Sequence, residues 1–129
     1  MRKEDLMHQA KGYFLPLILG NTPEARRLAR RLFKKFGVRP FILDEGHSWK
    51  SFFSLSYYVS PLCRTESTRL LLEQLEDIAR QSPGTLPILV PTTAKYREAI
   101  NEHREAMERI FVIKEPSALL SEAPFSRIK

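Results

Sequence analysis

A short apolar segment near the start of the chain constrains its fold more than any other feature: residues 15–19 break at Gly20 and lead directly into a helix. The segment is too short for a helix and almost continuously apolar, as is typical of a parallel strand covered on both faces. Thr22 suits the N-cap of the helix and Pro23 its first position. Because ligands of parallel α/β sheets bind at the carboxyl ends of strands, the turn Gly20, Asn21 and Thr22 is the first candidate binding site.

The pattern of a short apolar strand followed by a helix recurs along the chain. Strands are predicted at 15–19, 39–44, 56–59, 86–90 and 111–113. Helices are predicted from Thr22 to Gly37, from Thr65 to the break at Pro83-Gly84, from Thr92 or Thr93 through Ile110, and around 117–120. Gly37 is expected to be a left-handed helix cap, and Pro61 is expected to end the third strand. The alternation predicts a Rossmann-like three-layer α/β domain with a mainly parallel sheet of about five strands.

The composition fits one globular domain. The chain has 129 residues, of which 43% are hydrophobic and 28% charged. No apolar run approaches the roughly 20 residues of a membrane span, and the first residues lack the apolar region of a signal peptide, so a cytoplasmic protein without a membrane segment is expected. Cys63 is the only cysteine. A disulfide within the chain is therefore excluded, and Cys63 is either a packing residue or a reactive thiol.

The net charge of +6 lies mostly on the first predicted helix. Its apolar positions, at spacings of three and four residues, are Ala25, Leu28, Ala29, Leu32, Phe33 and Phe36. Its basic residues, on the opposite side, are Arg26, Arg27, Arg30, Arg31, Lys34 and Lys35. This face is expected to lie in water, with a phosphate or RNA surface and the docking of an acidic partner as alternatives. Nucleic acid is the less expected ligand, because the face has no aromatic residue to stack on bases.

Asp44 ends the second predicted strand, where dinucleotide-binding folds carry a ribose-binding carboxylate. The glycine fingerprint that accompanies it there is incomplete, because only Gly20 is present and Thr22 and Ala25 stand where the other glycines belong. The alternative role for Asp44 is to accept hydrogen bonds from nearby backbone amides. The sequence leaves both roles open and favours the second.

The turn after the fourth predicted strand contains Thr92 and Thr93. Either residue could cap the next helix, and the exposed amides and hydroxyls there could also bind a carboxylate or a phosphate. His103 lies on the apolar side of that helix, where a hydrogen-bonded boundary histidine is expected rather than a metal ligand.

The remaining side chains predict neither catalysis nor a metal site. The stretch 45–64 is rich in aromatic residues that could line a pocket or cover a sheet edge, and His47 beside Trp49 reads as a turn residue rather than a base. No nucleophile stands beside a base, and no metal-ligand spacing or phosphate-binding glycine loop occurs. A five-stranded sheet whose strand-end turns carry none of these groups resembles half of a binding site more than a whole one.

Several segments together resemble one family. They are Phe14–Gly20, 36–38, 89–93, 101–107 and 111–113. They are similar to landmarks of the N-terminal (pre-ATP-grasp) domain of ATP-grasp carboxylate–amine ligases, especially the D-aspartate ligase-like branch, over about residues 13 to 120. The chain departs from the family at Asn21-Thr22-Pro23, where many relatives have a glycine- or aspartate-rich turn, and at Thr93-Ala94, where relatives often have an acidic residue.

The resemblance implies the following. Residues 1–12 would be an N-terminal extension, 13–114 the pre-ATP-grasp domain, and 115–129 a linker toward an ATP-grasp core of the same polypeptide. The parent enzyme would bind ATP and Mg²⁺ through lobes absent from this chain, and would join a small carboxylate to an amine through an acyl phosphate. The turns at Gly20, Asn21 and Thr22 and at Thr92 and Thr93 would face the substrate cleft, and Asp44 is a further candidate. The chain alone is expected to be inactive.

Two other functions remain open. A stand-alone flavodoxin-like module would carry its own small-molecule site and act as a binding or regulatory protein. A basic nucleic-acid-associated protein is supported by charge alone. Association into a homodimer is compatible with each of these hypotheses.

Overall fold

The structure is a computed structural model that describes residues 14–45, 56–62, 67–81 and 83–121. Its strands are β1 (Phe14–Leu19), β2 (Phe41–Glu45), β3 (Tyr58–Leu62), β4 (Leu86–Pro91) and β5 (Val112–Ile113). Its helices are α1 (Pro23–Phe36), α2 (Thr68–Arg80), α3 (Ala94–Glu102), α4 (Arg104–Glu108) and α5 (Pro116–Ser121). The strands form one five-stranded sheet in the order β3-β2-β1-β4-β5, and every pair of neighbours is parallel. The predicted Rossmann-like α/β fold is therefore confirmed.

The strand order reverses next to β1. The chain passes outward from β1 to β2 and β3, then crosses back to place β4 on the other side of β1. This order matches the first five strands of a Rossmann sheet and differs from the flavodoxin-like order, 2-1-3-4-5. The turns that follow β1 and β4 are consequently neighbours, and the Thr92 amide donates to the Leu19 carbonyl at 3.0 Å.

Helices cover both faces of the sheet, because side chains alternate along each strand. One face packs against α1 and α5, and its buried side chains include Phe14, Ile18, Ile42, Ile88, Val90, Leu28, Leu32 and Leu119. The other face packs against α2, α3 and α4, and its buried side chains include Leu15, Leu17, Leu19, Leu43, Leu89, Leu75, Ile100 and Met107. Helix α5, which the sequence predicted around 117–120, thus packs on the sheet, whereas the resemblance assigned residues 115–129 to a linker.

The ends of α1 follow the sequence prediction. The Thr22 hydroxyl accepts the Ala25 amide at 3.0 Å, and Pro23 opens the helix. Gly37 closes it in the left-handed conformation, with φ of 71°, and its amide donates to the carbonyl of Phe33. Phe33 itself was predicted in the buried stripe, and this is wrong: it lies on the flank of α1 and is 37% exposed.

Three predicted boundaries need correction. Strand β3 continues through Pro61 to Leu62, because β3 is an edge strand and a proline without an amide proton is tolerated there. Helix α2 begins after the N-cap Ser67, whereas Thr65 lies outside the described residues. The helix predicted to run through Ile110 is interrupted at His103, whose φ of −123° and ψ of 33° separate α3 from α4.

Candidate functional site

The carboxyl edge of the sheet brings together the residues that the sequence singled out. The turn after β1 contains Gly20, Asn21 and Thr22, and the turn after β4 contains Thr92 and Thr93. Asp44 lies near the end of β2, the strand next to β1. Direct hydrogen bonds join the three groups, as described below. This edge is the topological switch point of the sheet, where ligands of open α/β folds bind.

Gly20 and Thr92 are in close contact. Gly20 has a φ of 105°, and a β-carbon added to it would lie 2.6 Å from the Thr92 hydroxyl oxygen. That hydroxyl is buried and donates to the Leu19 carbonyl at 2.8 Å. The Thr22 hydroxyl lies 3.3 Å from it. Thr92 thus links the β1 and β4 turns through its buried hydroxyl and is not a helix cap.

Thr93 is the N-cap of α3. Its hydroxyl oxygen accepts the Tyr96 amide at 3.4 Å, and the residue is half-buried at the edge of the sheet. Since that contact uses only a lone pair, the Thr93 hydroxyl proton is available to an oxygen of a ligand. Of the two threonines that the sequence proposed as caps, the structure therefore selects Thr93.

Asp44 accepts three hydrogen bonds. Its carboxylate receives the Asn21 amide at 2.8 Å, the Glu45 amide at 2.8 Å and the Tyr96 hydroxyl at 2.7 Å. The role of acceptor for nearby backbone amides, which the sequence favoured, is confirmed. Asp44 therefore fixes the turn after β1 to the end of β2 and to the first turn of α3.

Tyr96 is a site residue that the sequence reasoning missed. Its side chain is 2% exposed, and its hydroxyl reaches across from α3 to Asp44. Burial raises the pKa of the Tyr96 phenol well above its ordinary value, and the hydrogen bond to Asp44 raises that pKa further. Tyr96 is thus a neutral hydrogen-bond donor at physiological pH. Its partner is 52 residues away, so no local sequence pattern indicated this contact.

Two basic side chains border this network. Lys95 pairs with Glu45 at 2.8 Å, and Arg26 donates to the Asn21 side-chain oxygen at 2.7 Å. The Arg26 contact orients the Asn21 side chain over the start of α1. The site consequently has a rim of hydrogen-bonded and charged groups around a buried Gly20–Thr92 contact.

The chemistry of this arrangement is recognition by hydrogen bonds. Among the described residues no group of His, Cys, Asp and Glu could hold a metal ion. His103 lies between α3 and α4, and its Nε2 atom is 2.6 Å from the hydroxyl of Thr68 in α2, as expected for a hydrogen-bonded boundary histidine. His47, Trp49 and Cys63 fall outside the described residues.

A search of protein-family models and of curated proteins finds no match to this sequence. None of the helices in the described segments is both long and apolar enough to cross a membrane.

Proposed function

We propose that this chain is the N-terminal domain of an ATP-dependent carboxylate–amine ligase and forms one wall of its substrate cleft. The observation that carries the proposal is the contact between Gly20 and Thr92, which joins the turns after β1 and β4 at the switch point of the sheet. The resemblance to pre-ATP-grasp domains, on the segments given above, assigns these same two turns to the cleft. The proposal is supported by the fact that these two turns are neighbours in the structure.

In the proposed reaction a substrate carboxylate attacks the terminal phosphorus of ATP, which gives an acyl phosphate and ADP. The amine nitrogen then attacks the acyl carbon, loses a proton and displaces phosphate. ATP with Mg²⁺ would supply the activation from other lobes of the parent enzyme. A set of three or more metal-binding side chains is missing from the described part of this chain, so no residue here is assigned to the metal.

The role proposed for this chain is to position a substrate. The Thr93 hydroxyl would donate to a substrate oxygen, and the Asn21 turn would contact the same molecule from the β1 side. Asp44 and Tyr96 would hold both turns in place without touching the substrate. A buried phenol with a raised pKa keeps its proton, and this suits Tyr96 to holding a shape rather than to transferring protons.

The first test is the mass of the native gene product, detected in its host through a peptide of this chain. The proposal predicts a species of about 45 kDa or more, because further domains add about 100 to 200 residues each. A native species of 15.0 kDa, the mass of this chain, would contradict it. A cytoplasmic location belongs to the same proposal, and cell fractionation of the same sample checks it.

A further inference from the structure

The outer face of α1 carries an uncompensated positive charge. Six basic side chains stand on this helix against one acidic residue, Glu24. Five of them are exposed to solvent, namely Arg27, Arg30, Arg31, Lys34 and Lys35. The ammonium group of Lys35 lies over the ring of Phe36. We therefore define the α1 basic face as Arg27, Arg30, Arg31 and Lys34. Within the described part of the chain, none of its four residues forms an ion pair.

The basic residues of the other long helices are arranged differently. Each pairs with a carboxylate, as in Arg69–Glu73, Arg80–Glu76, Lys95–Glu45 and Arg97–Glu115. The short α4 repeats the pattern with Arg104–Glu108 at 3.0 Å. Charge is therefore balanced locally on α2, α3 and α4 and concentrated on α1.

This concentration of positive charge destabilises α1. Like charges four residues apart repel each other on a helix, and the α1 basic face contains two such pairs, Arg27 with Arg31 and Arg30 with Lys34. The apolar side of α1 is buried in the core, so the fold itself makes no use of the basic side. An anionic surface bound against it would relieve the repulsion.

A folded protein is the anionic partner that fits best. Phe33 is 37% exposed on the flank of the helix, three residues after Arg30 and thus on the same side of α1. Exposed aromatic and arginine side chains together are typical of protein interfaces. Stacking on nucleic-acid bases needs several aromatic platforms, and Phe33 is the one exposed aromatic residue among the described positions of α1. Insertion into a membrane would need an exposed apolar helix face, which α1 buries against the sheet.

A second copy of this chain complements the surface only in part. Among the described acidic residues of α2, α3 and α4, only Glu98 and Glu102 are in no ion pair, and they offer two carboxylates to the four cations of the α1 basic face. We propose that the α1 basic face with Phe33 is the docking surface for a different protein or domain, which presents carboxylates at helical spacing beside an apolar side chain.

The test uses the full 129-residue chain and defined probes. The main probe is a fluorescent helical peptide with glutamates spaced three and four residues apart on one side and a leucine beside them. A peptide of the same composition with its glutamates spread around the helix is the matched probe. A single-stranded RNA of equal charge and vesicles containing phosphatidylserine represent the other anionic surfaces.

Two variants with the same loss of charge separate a docking surface from a general charge effect. One removes the α1 basic face through Arg27→Gln, Arg30→Gln, Arg31→Gln and Lys34→Gln. The other changes four paired arginines, through Arg69→Gln, Arg80→Gln, Arg104→Gln and Arg109→Gln. The proposal predicts that the first variant weakens binding of the main probe at least about tenfold and that the second changes it little. Phe33→Ala should weaken binding at unchanged charge.

The proposal is overturned if the two variants weaken binding equally, if the matched peptide binds as well as the main probe, or if the main probe does not bind. Tighter binding of RNA or of vesicles than of the main probe also overturns it. Circular dichroism of each variant reports whether α1 stays folded, and the Phe33→Ala variant, with all charges kept, gives a second reading if the first variant unfolds. This test does not depend on the ligase proposal, because it uses no substrate and no ATP.

Discussion

The hydroxyl of Thr92 occupies the space that a β-carbon on Gly20 would need, at 2.6 Å. This contact brings the turn after β1 against the turn after β4, where the Thr92 hydroxyl also donates to the Leu19 carbonyl at 2.8 Å. The candidate site is therefore built on a position where any side chain would overlap Thr92 and strain the backbone.

Gly20→Ala should lower the free energy of unfolding by about 2–4 kcal/mol, because it adds both a strained positive φ and a steric overlap with Thr92. Gly84→Ala is the matched control. Its φ of 84° is also positive, but within the described part of the chain no atom beyond its sequence neighbours lies within 4 Å of the added carbon, so a loss of about 1 kcal/mol is expected. Urea unfolding of both variants measures the difference. Equal losses would show that the Gly20–Thr92 contact is loose.

Asp44→Ala should release the turn after β1. The change leaves the Asn21 amide, the Glu45 amide and the Tyr96 hydroxyl without their acceptor, and we expect a loss of about 2–4 kcal/mol. Hydrogen exchange of the Asn21 amide, followed by NMR, should become at least about tenfold faster.

Asp77→Ala serves as the control for that measurement, because Asp77 is an exposed residue that pairs only with Arg80 on its own helix. It should leave exchange of the Asn21 amide unchanged. If Asp44→Ala also leaves that amide unchanged, the Asp44 contact does not hold the turn.

Tyr96 should make stability depend on pH in the alkaline range. The folded chain keeps the Tyr96 proton above the ordinary pKa of 10.0, whereas the unfolded chain releases it there. The contribution of Tyr96 is thus complete below pH 10 and falls above it, by at most about 1.4 kcal/mol per pH unit. Tyr96→Phe lacks this titration and loses about 1 kcal/mol at neutral pH. Urea unfolding from pH 8 to 11.5 should show the two stabilities converging above pH 10 and crossing at about pH 11. A constant difference would refute the assignment.

Features that depend on residues within one helical turn were predicted correctly from the sequence, whereas features that depend on distant residues were not. Thr22, Pro23 and Gly37 were predicted correctly because capping depends on residues within one turn of each other. The break at His103 was not predicted, because neither proline nor glycine occurs there. Its ring instead meets Thr68 of another helix, 35 residues away. Local patterns carry no information about such a partner.

In the candidate site, the general position of the residues was predictable, but their individual contacts were not. Parallel strands place their ends at one edge, so the sequence could bring Gly20, Asp44 and Thr92 to one region. It could not show that Tyr96 binds Asp44, or that Thr92 contacts the β1 turn while Thr93 caps α3. These contacts depend on the order and register of β2, β1 and β4. The order of strands was likewise not readable from the pattern.

Thr93→Ala should lower substrate use by the native gene product more than its effect on stability explains. Losing the N-cap of α3 costs about 1 kcal/mol, and Ser67→Ala, which removes the equivalent cap of α2, should cost a similar amount. We expect Thr93→Ala to raise KM for the substrate, Thr93→Ser to restore it, and Ser67→Ala to leave it unchanged. A rise in KM of the same size in both alanine variants would show that Thr93 only caps α3 and does not bind the substrate.

The most direct test of the ligase proposal is to trap the acyl phosphate. The purified native gene product is incubated with ATP, Mg²⁺, hydroxylamine and a metabolite extract of its host as the source of carboxylates, and hydroxamates and ADP are measured by mass spectrometry. The proposal predicts that a hydroxamate forms only with ATP and in step with ADP, and that less forms with Thr93→Ala. Absence of any ATP-dependent hydroxamate would contradict it.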